Sequence, residues 1–200
     1  MMNTQKITET LHIPCYTICM IERFQTGKLM WTNLKNPTEA EITEIVHALD
    51  IPITLTSDLI APVPRNYAHE SNGVIKIAVD FPVVKRIDAK QPYELKFIIM
   101  KAALVTVQYE EMEAIDRFKK QFEVLTTLGK TSKKMTGAHL FFALMNELYN
   151  TSGTKLDYVE SNLSDIEAQI FKDNERQMVV EIAKTTKRLI AYRHTLKAHE

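Results

Sequence analysis

The spacing of apolar residues changes near residue 110, and this change most constrains the fold. Before it, apolar and polar residues alternate, as in Val74 to Phe81, which is the period of a half-buried β-strand. After it, apolar residues recur every three or four positions, as on one face of an α-helix. A mixed α/β part over residues 1–130 is therefore expected, followed by long helices over residues 131–200.

Strands dominate the first part. They are predicted at Cys15–Ile21, Lys28–Leu34, Val74–Phe81, Glu94–Met100 and Ala102–Tyr109. The last two are separated by a charged turn at Lys101 and are expected to form a hairpin. Within Val74–Phe81 the alternation predicts one apolar face and one polar face, the polar one carrying Lys76 and Asp80.

One helix interrupts these strands. Thr38 is placed to cap its first turn, and Glu41, three residues later, can reach back to the amide of the cap. The apolar stripe that follows is Ile42, Ile45, Val46 and Leu49. Ile51-Pro52 ends the helix, because proline disfavours the helical conformation of the residue before it.

The helical part shows several apolar stripes. These are Ile115, Phe118, Phe122 and Leu125, before a stop at Gly129; Leu140, Leu144 and Leu148; Leu156, Val159, Leu163, Ile166 and Ile170; and Ile182, Leu189 and Leu196. The third stripe has the spacing of a coiled-coil or bundle seam. A break between two antiparallel helices is expected near Asp173-Asn174 or, less strongly, at Ser152-Gly153.

Composition excludes several classes of protein. With 25 Lys+Arg against 25 Asp+Glu, the chain lacks the cationic excess of a nucleic-acid binder. No stretch approaches the roughly 20 apolar residues of a membrane span. Only two cysteines, Cys15 and Cys19, exclude a disulfide scaffold and fit a reducing compartment.

No enzymatic motif is recognisable, and the chain is predicted not to be an enzyme. The glycines are too far apart for a phosphate loop. His12 with Cys15 and Cys19 suggests a zinc site. On a strand, however, residue 12 points away from the two cysteines, so buried thiols are favoured.

The acidic clusters at 39–44 and 110–113 suit helix N-termini. The remaining histidines on helices are expected to face solvent: His47, His139, His194 and His199.

An ordered set of short segments is more informative than any single motif. The segments are Trp31–Glu39; Ser57-Asp58-Leu59 with Arg65 seven residues after the aspartate; Ala103–Val107; Asp165-Ile166-Glu167 with Ile170-Phe171; and Lys187-Arg188-Leu189 with Arg193. From about Trp31 to the end, the chain resembles the cytoplasmic N-terminal domain of the CorA family of magnesium and cobalt transporters.

The resemblance implies a mixed β-sheet with flanking helices, followed by long antiparallel helices. It also implies a homopentamer in the cell membrane, with this segment on the cytoplasmic side and two transmembrane helices, carrying a Gly-Met-Asn loop, beyond residue 200. The last helix reaches Glu200 without a stop signal, so the chain is expected to be a segment of such a transporter. Alone, it is expected to be monomeric or weakly associated.

The resemblance further implies a regulatory Mg²⁺ ion at Asp58, bound between this domain and acids of a neighbouring subunit. Mg²⁺ suits such a site because it prefers oxygen ligands and retains several waters. The chain departs from the family pattern at Ser57, which is often acidic in relatives, and at Asn146, Asn150 and Thr151. An equally favoured role for Asp58 is to cap a short helix at Leu59-Ile60.

Three other interpretations stay open. The zinc-transporting branch of the same family differs in segments beyond residue 200. A cytosolic helical interaction module without an ion role accounts equally well for the seam from Leu156 to Ile170. Least favoured is a basic-helix binder using the cationic residues of the last helix: Lys184, Lys187, Arg188, Arg193 and Lys197.

Overall fold

The structure, a computed structural model, describes residues 20–63, 66–82, 93–128, 135–170 and 175–199. Its strands are β1 (Met20–Thr26), β2 (Leu29–Lys35), β3 (Tyr67–Ser71), β4 (Val74–Phe81), β5 (Tyr93–Ile99) and β6 (Ala103–Gln108). Its helices are α1 (Glu39–Leu49), α2 (Glu113–Thr127), α3 (Gly137–Ile170) and α4 (Glu175–Lys197), with a 3₁₀ turn at Ile53–Leu55.

The strands form one mixed sheet in the order β1-β2-β6-β5-β4-β3. β2 and β6 pair in parallel, and every other neighbouring pair is antiparallel. The predicted β5–β6 hairpin is confirmed. The predicted first strand lies, up to residue 19, outside the described residues, and β1 begins at Met20. β3 was not predicted.

The start of α1 confirms the capping prediction. The Thr38 side chain accepts a hydrogen bond from the Glu41 amide, and the Glu41 carboxylate accepts one from the Thr38 amide at 2.8 Å. Ile42 and Ile45 are buried, as their spacing predicts. The helix ends at Leu49, and the next residue, Asp50, adopts a left-handed conformation.

Replacing Thr38 with alanine is expected to lower the free energy of unfolding by about 1 kcal/mol, because the capping hydroxyl is lost. Urea unfolding measures this difference. Thr43→Ala is the matched control, since Thr43 is also exposed and its hydroxyl, among the described residues, bonds the carbonyl of Glu39, one turn earlier. Equal effects of the two substitutions would contradict the capping role.

Both faces of the sheet are covered. On one face α2 and α3 pack over a core around Trp31, whose members include Phe81, Leu95, Phe97, Leu104, Phe118, Phe122, Leu140, Leu144 and Leu148. On the other face α1 and the chain after it pack over Leu34, Ile42, Ile45, Ile51, Leu55, Leu59, Ile98, Val105 and Val107. A sheet covered on both faces is typical of α/β packing.

Several apolar positions differ from the prediction. Leu125, Leu156, Leu163 and Ile182 are exposed, whereas Val159 and Ile166 are buried. Only part of the predicted seam therefore faces α4. The helix continues through Ser152-Gly153, so a break there is wrong. The expected break at Asp173-Asn174 lies outside the described residues, between α3 and α4.

The C-terminal end of α4 returns to the sheet. His199 Nε2 lies 2.6 Å from the Asp80 carbonyl oxygen, and His199 Nδ1 lies 2.9 Å from the Tyr149 hydroxyl. The Asn66 side-chain amide donates to the Ala198 carbonyl at 3.2 Å. The prediction that His199 faces solvent is therefore wrong. Across the described segments, no helix is both long and apolar enough to cross a bilayer.

Candidate functional site

Asp58 lies in the loop between the 3₁₀ turn and β3, over the face of the sheet that α1 covers. Its carboxylate accepts hydrogen bonds from the Tyr67 hydroxyl and the Lys76 ammonium. Lys96 Nζ lies 3.8 Å from Asp58 Oδ2. No helix forms at Leu59-Ile60, so the helix-capping alternative is wrong.

Lys96, on β5, is the centre of this cluster, and its side chain is fully buried. Its ammonium donates to the carbonyls of Asp58 and Ala61, the second at 2.7 Å, and to the Tyr109 hydroxyl at 2.9 Å. The Tyr109 hydroxyl donates in turn to the Leu59 carbonyl at 2.8 Å. These bonds fasten the loop that carries Asp58 to the sheet.

Glu94 completes the charge balance of the cluster. It lies on the same side of β5 as Lys96, two residues away, and its Oε1 is 3.0 Å from Lys96 Nζ. Two carboxylates, Asp58 and Glu94, therefore face two ammonium groups, Lys76 and Lys96. Such a cluster is neutral as a whole, which is how buried charges are tolerated.

Burial shifts the titration of these groups. Burial and then the charge of Lys96 lower the pKa of Lys76 to about 8, against the opposing effect of Glu94. Burial also lowers the pKa of Lys96 and raises the pKa of Glu94, and each of these two groups opposes the shift of the other. Burial, with the Glu94 charge, raises the pKa of Tyr67 to about 12.

These contacts bear on the predicted Mg²⁺ at Asp58. A divalent cation bound by this carboxylate would have to displace the Lys76 ammonium and would meet a second ammonium, Lys96, beside it. Within the described residues, no group of three or more His, Cys, Asp or Glu is placed to hold a metal ion. The donor set that this chain alone supplies around Asp58 does not fit a divalent cation.

The other residues singled out from the sequence lie elsewhere. Ser57, Asn146 and Asn150 are exposed, and Thr151 is buried on α3. Arg65, His12, Cys15 and Cys19 lie outside the described residues.

Sequence reasoning missed five members of the cluster, which are Tyr67, Lys76, Glu94, Lys96 and Tyr109. The polar face predicted for β4 is covered, and Lys76 is 3% exposed. A signal was present in β5, where Glu94 and Lys96 precede Ile98 at a spacing of two residues, which puts charges on a buried apolar face.

Comparison with known proteins gives the class to which this fold belongs. The family described as "CorA-like Mg2+ transporter protein" matches residues 26–200. The chain therefore belongs to the CorA-like family. None of the curated protein sequences compared with it matches.

Solved structures show the same fold at low sequence identity. The complete CorA magnesium transporter of Methanocaldococcus jannaschii superposes with a TM-score of 0.70 and 17% identity, over 88% of this chain and 54% of that one. The soluble domain of the same transporter gives 0.64 and 18%, over 86% and 67%. The ZntB cytoplasmic domain of Vibrio parahaemolyticus gives 0.64 and 15%, over 86% and 66%. The chain thus spans about half the length of the complete CorA transporter.

Proposed function

We propose that this chain is the cytoplasmic part of a homopentameric membrane transporter of divalent cations, with Mg²⁺ and Co²⁺ as cargo. The observation that supports this is the family match over residues 26–200, which extends from the end of β1 through the other five strands and both long helices. The structural likeness to the soluble domain of a CorA transporter agrees with it. In this proposal the chain has no catalytic role.

The proposal is tested by metal uptake. The complete gene product, expressed in cells deficient in Mg²⁺ uptake, is expected to restore growth at low external Mg²⁺ and to raise cellular Mg²⁺. The same gene with a stop codon in place of Trp31 is the control, because translation then ends before nearly all of the domain and before everything that follows it. Metal content of the cells is the second measurement, with Co²⁺ and Zn²⁺ supplied in separate cultures.

Each outcome of the uptake test decides between the interpretations. Uptake of Zn²⁺ without Mg²⁺ would favour the zinc-transporting branch. If the cells neither grow nor accumulate metal while the protein is present in the membrane fraction, a transport role is contradicted. That result would favour a helical interaction module, for which the exposed apolar side chains of α3 and α4 supply a surface, among them Phe142, Val179 and Ile190.

Asp58 as a ligand of a regulatory Mg²⁺ ion stays a prediction. Since Lys76 and Lys96 already neutralise its carboxylate, a site made by this chain alone is expected to be weak. A Mg²⁺ ion at Asp58 needs acids from outside this domain, as the family resemblance implies for a neighbouring subunit.

A further inference from the structure

A cavity of about 160 Å³ is lined by residues from the start of α2, the middle of α3, the end of β4 and the start of β5. This α2–α3 cavity is far larger than the roughly 10–15 Å³ that one water needs. It is smaller than the roughly 300–1,000 Å³ of sites for drug-sized ligands, so it suits a small organic molecule. Apolar and aromatic side chains from all four elements line it, namely Phe81, Tyr93, Met112 and Leu148.

Thr151, on α3, brings an unpaired hydroxyl to the lining of the α2–α3 cavity. The residue is 4% exposed, and its Oγ1 has no hydrogen-bond partner among the described residues. Helical threonines commonly bond a carbonyl three or four residues earlier, as Thr154 Oγ1 does when it donates to the Thr151 carbonyl at 2.9 Å. A buried hydroxyl without such a bond lowers stability, so a ligand that bonds it gains free energy.

The first turn of α2 adds a backbone donor to the same cavity. The N-cap residue is Met112, which supplies no side-chain cap, and the Ile115 amide donates to the Met112 carbonyl at 3.0 Å. Ala114 lies between them, is buried and lines the cavity, and its amide has no hydrogen-bond partner in the described part of the chain. Open amides at a helix N-terminus bind the oxygens of anions.

The charged groups around the α2–α3 cavity are consistent with an anionic ligand. Glu111 and Glu113 belong to the lining, but they pair with Lys35 and Arg117, and their side chains are 77% and 49% exposed. Lys155, on α3, adds an ammonium group to the lining. Counted together with these two partners, three cations face two carboxylates, which leaves one positive charge in excess.

We propose that the α2–α3 cavity binds a small aromatic carboxylate. Its carboxylate accepts hydrogen bonds from the Thr151 hydroxyl and the Ala114 amide, with the Lys155 ammonium as its counter-ion. Its ring packs among the apolar side chains of the lining, where aromatic rings prefer edge-to-face or offset contacts. An inorganic anion would leave the apolar wall uncovered, and a neutral aromatic would leave the Lys155 charge unused. The lining therefore favours a molecule that has both a ring and a negative charge.

This inference goes beyond the proposed function and does not depend on it, because a ligand in this cavity is a property of the domain whether or not a pore exists. It is tested on the purified chain by isothermal titration with benzoate as the probe. Benzyl alcohol, acetate and phosphate are the comparison compounds. Benzoate is expected to bind saturably in the millimolar range or more tightly, and each comparison compound is expected to bind at least about tenfold more weakly, because it lacks the charge or the ring.

Thr151→Val separates a ligand contact from a structural role. The substitution is expected to weaken benzoate binding about tenfold, because a hydrogen bond to a charged group is lost. In the absence of benzoate it is expected to raise the midpoint of thermal unfolding by about 2–4 °C, because an unpaired buried hydroxyl becomes a methyl group. Thr186→Val, at an exposed threonine of α4, is the matched control and is expected to change neither quantity.

Three results would overturn the inference. The first is the absence of saturable benzoate binding in the millimolar range, which would mean that the cavity holds water alone. The second is binding of acetate or phosphate as tight as that of benzoate, which would indicate general attraction of anions. The third is unchanged benzoate affinity in Thr151→Val, which would place the ligand elsewhere. None of them bears on the uptake experiment, so the failure of either proposal is distinguishable from that of the other.

Discussion

Replacing Lys96 with methionine is expected to lower the free energy of unfolding by about 3–5 kcal/mol, the cost of removing one partner from a buried ion pair. The substitution leaves the Glu94 carboxylate without its ammonium partner, and Glu94 is itself almost fully buried. It also removes the donor that holds the carbonyls of Asp58 and Ala61. Urea unfolding monitored by the fluorescence of the single tryptophan, Trp31, measures the change.

A double substitution separates the charge from the packing. In Lys96→Met with Glu94→Leu, part of the lost stability is expected to return, because the one carboxylate still beside the missing cation, Asp58, keeps its partner Lys76. Lys120→Met, at an exposed lysine of α2, is the matched control and is expected to change stability by less than about 0.5 kcal/mol. If Lys96→Met has no larger effect than the control, the charged cluster does not stabilise this fold.

Gly137→Ala is expected to destabilise the protein by about 3 kcal/mol, at the upper end of what overpacking costs. Gly137 begins α3 and lies against the β5–β6 turn, where its amide donates to the Lys101 carbonyl. An added Cβ would lie 2.1 Å from the Ala103 carbonyl oxygen and 2.3 Å from that of Met100. Both obstacles are backbone atoms, so α3 would have to move away from the sheet.

Gly153→Ala is the matched control for this effect. Gly153 lies inside the same helix with open space around the position of an added Cβ. Alanine there is expected to raise stability by about 0.5–1 kcal/mol, because glycine is a poor helix former. Thermal unfolding of both variants gives the comparison, and a loss of stability in Gly153→Ala with none in Gly137→Ala would refute the packing described at the start of α3.

Local signals predicted much of the fold. The capping pair Thr38 and Glu41 located α1, and alternation located β4. The apolar runs Glu94–Met100 and Ala102–Tyr109 located β5 and β6. β3 was missed because its side chains are largely exposed and carry no apolar alternation. The turn that joins it to β4 offered a signal, since Asn72-Gly73 favours a tight hairpin and both residues have positive φ.

The seam of α3 was predicted less well because spacing alone does not say how much of a helix a neighbour covers. Val159 packs with Tyr192 of α4, and the partly buried Leu189 and Leu196 pack against this pair. Leu156 and Leu163, at the alternate positions of the same stripe, stay exposed. The partial burial of His199 has the same origin, because it follows from contacts with Asp80 and Tyr149, which are remote in sequence.

The candidate site was also predicted only in part. Asp58 was selected through the family resemblance, whereas its partners Lys76 and Lys96 come from β4 and β5 and are found only when the strands are paired. From sequence alone, a lysine on a strand is expected to face solvent, and its burial is found only when the neighbouring strands are known. The parallel pairing of β2 and β6 likewise brings together residues 75 positions apart, such as Asn33 and Gln108.

The most direct test of the transporter account is a flux measurement. The complete gene product, reconstituted into liposomes that contain a Mg²⁺-sensitive dye, is expected to give a dye response when Mg²⁺ is added outside, and empty liposomes are expected to give none. A response to Mg²⁺ that exceeds the empty control would support the assignment of divalent cations as cargo. Identical traces with and without the protein, for Mg²⁺, Co²⁺ and Zn²⁺ alike, would contradict it.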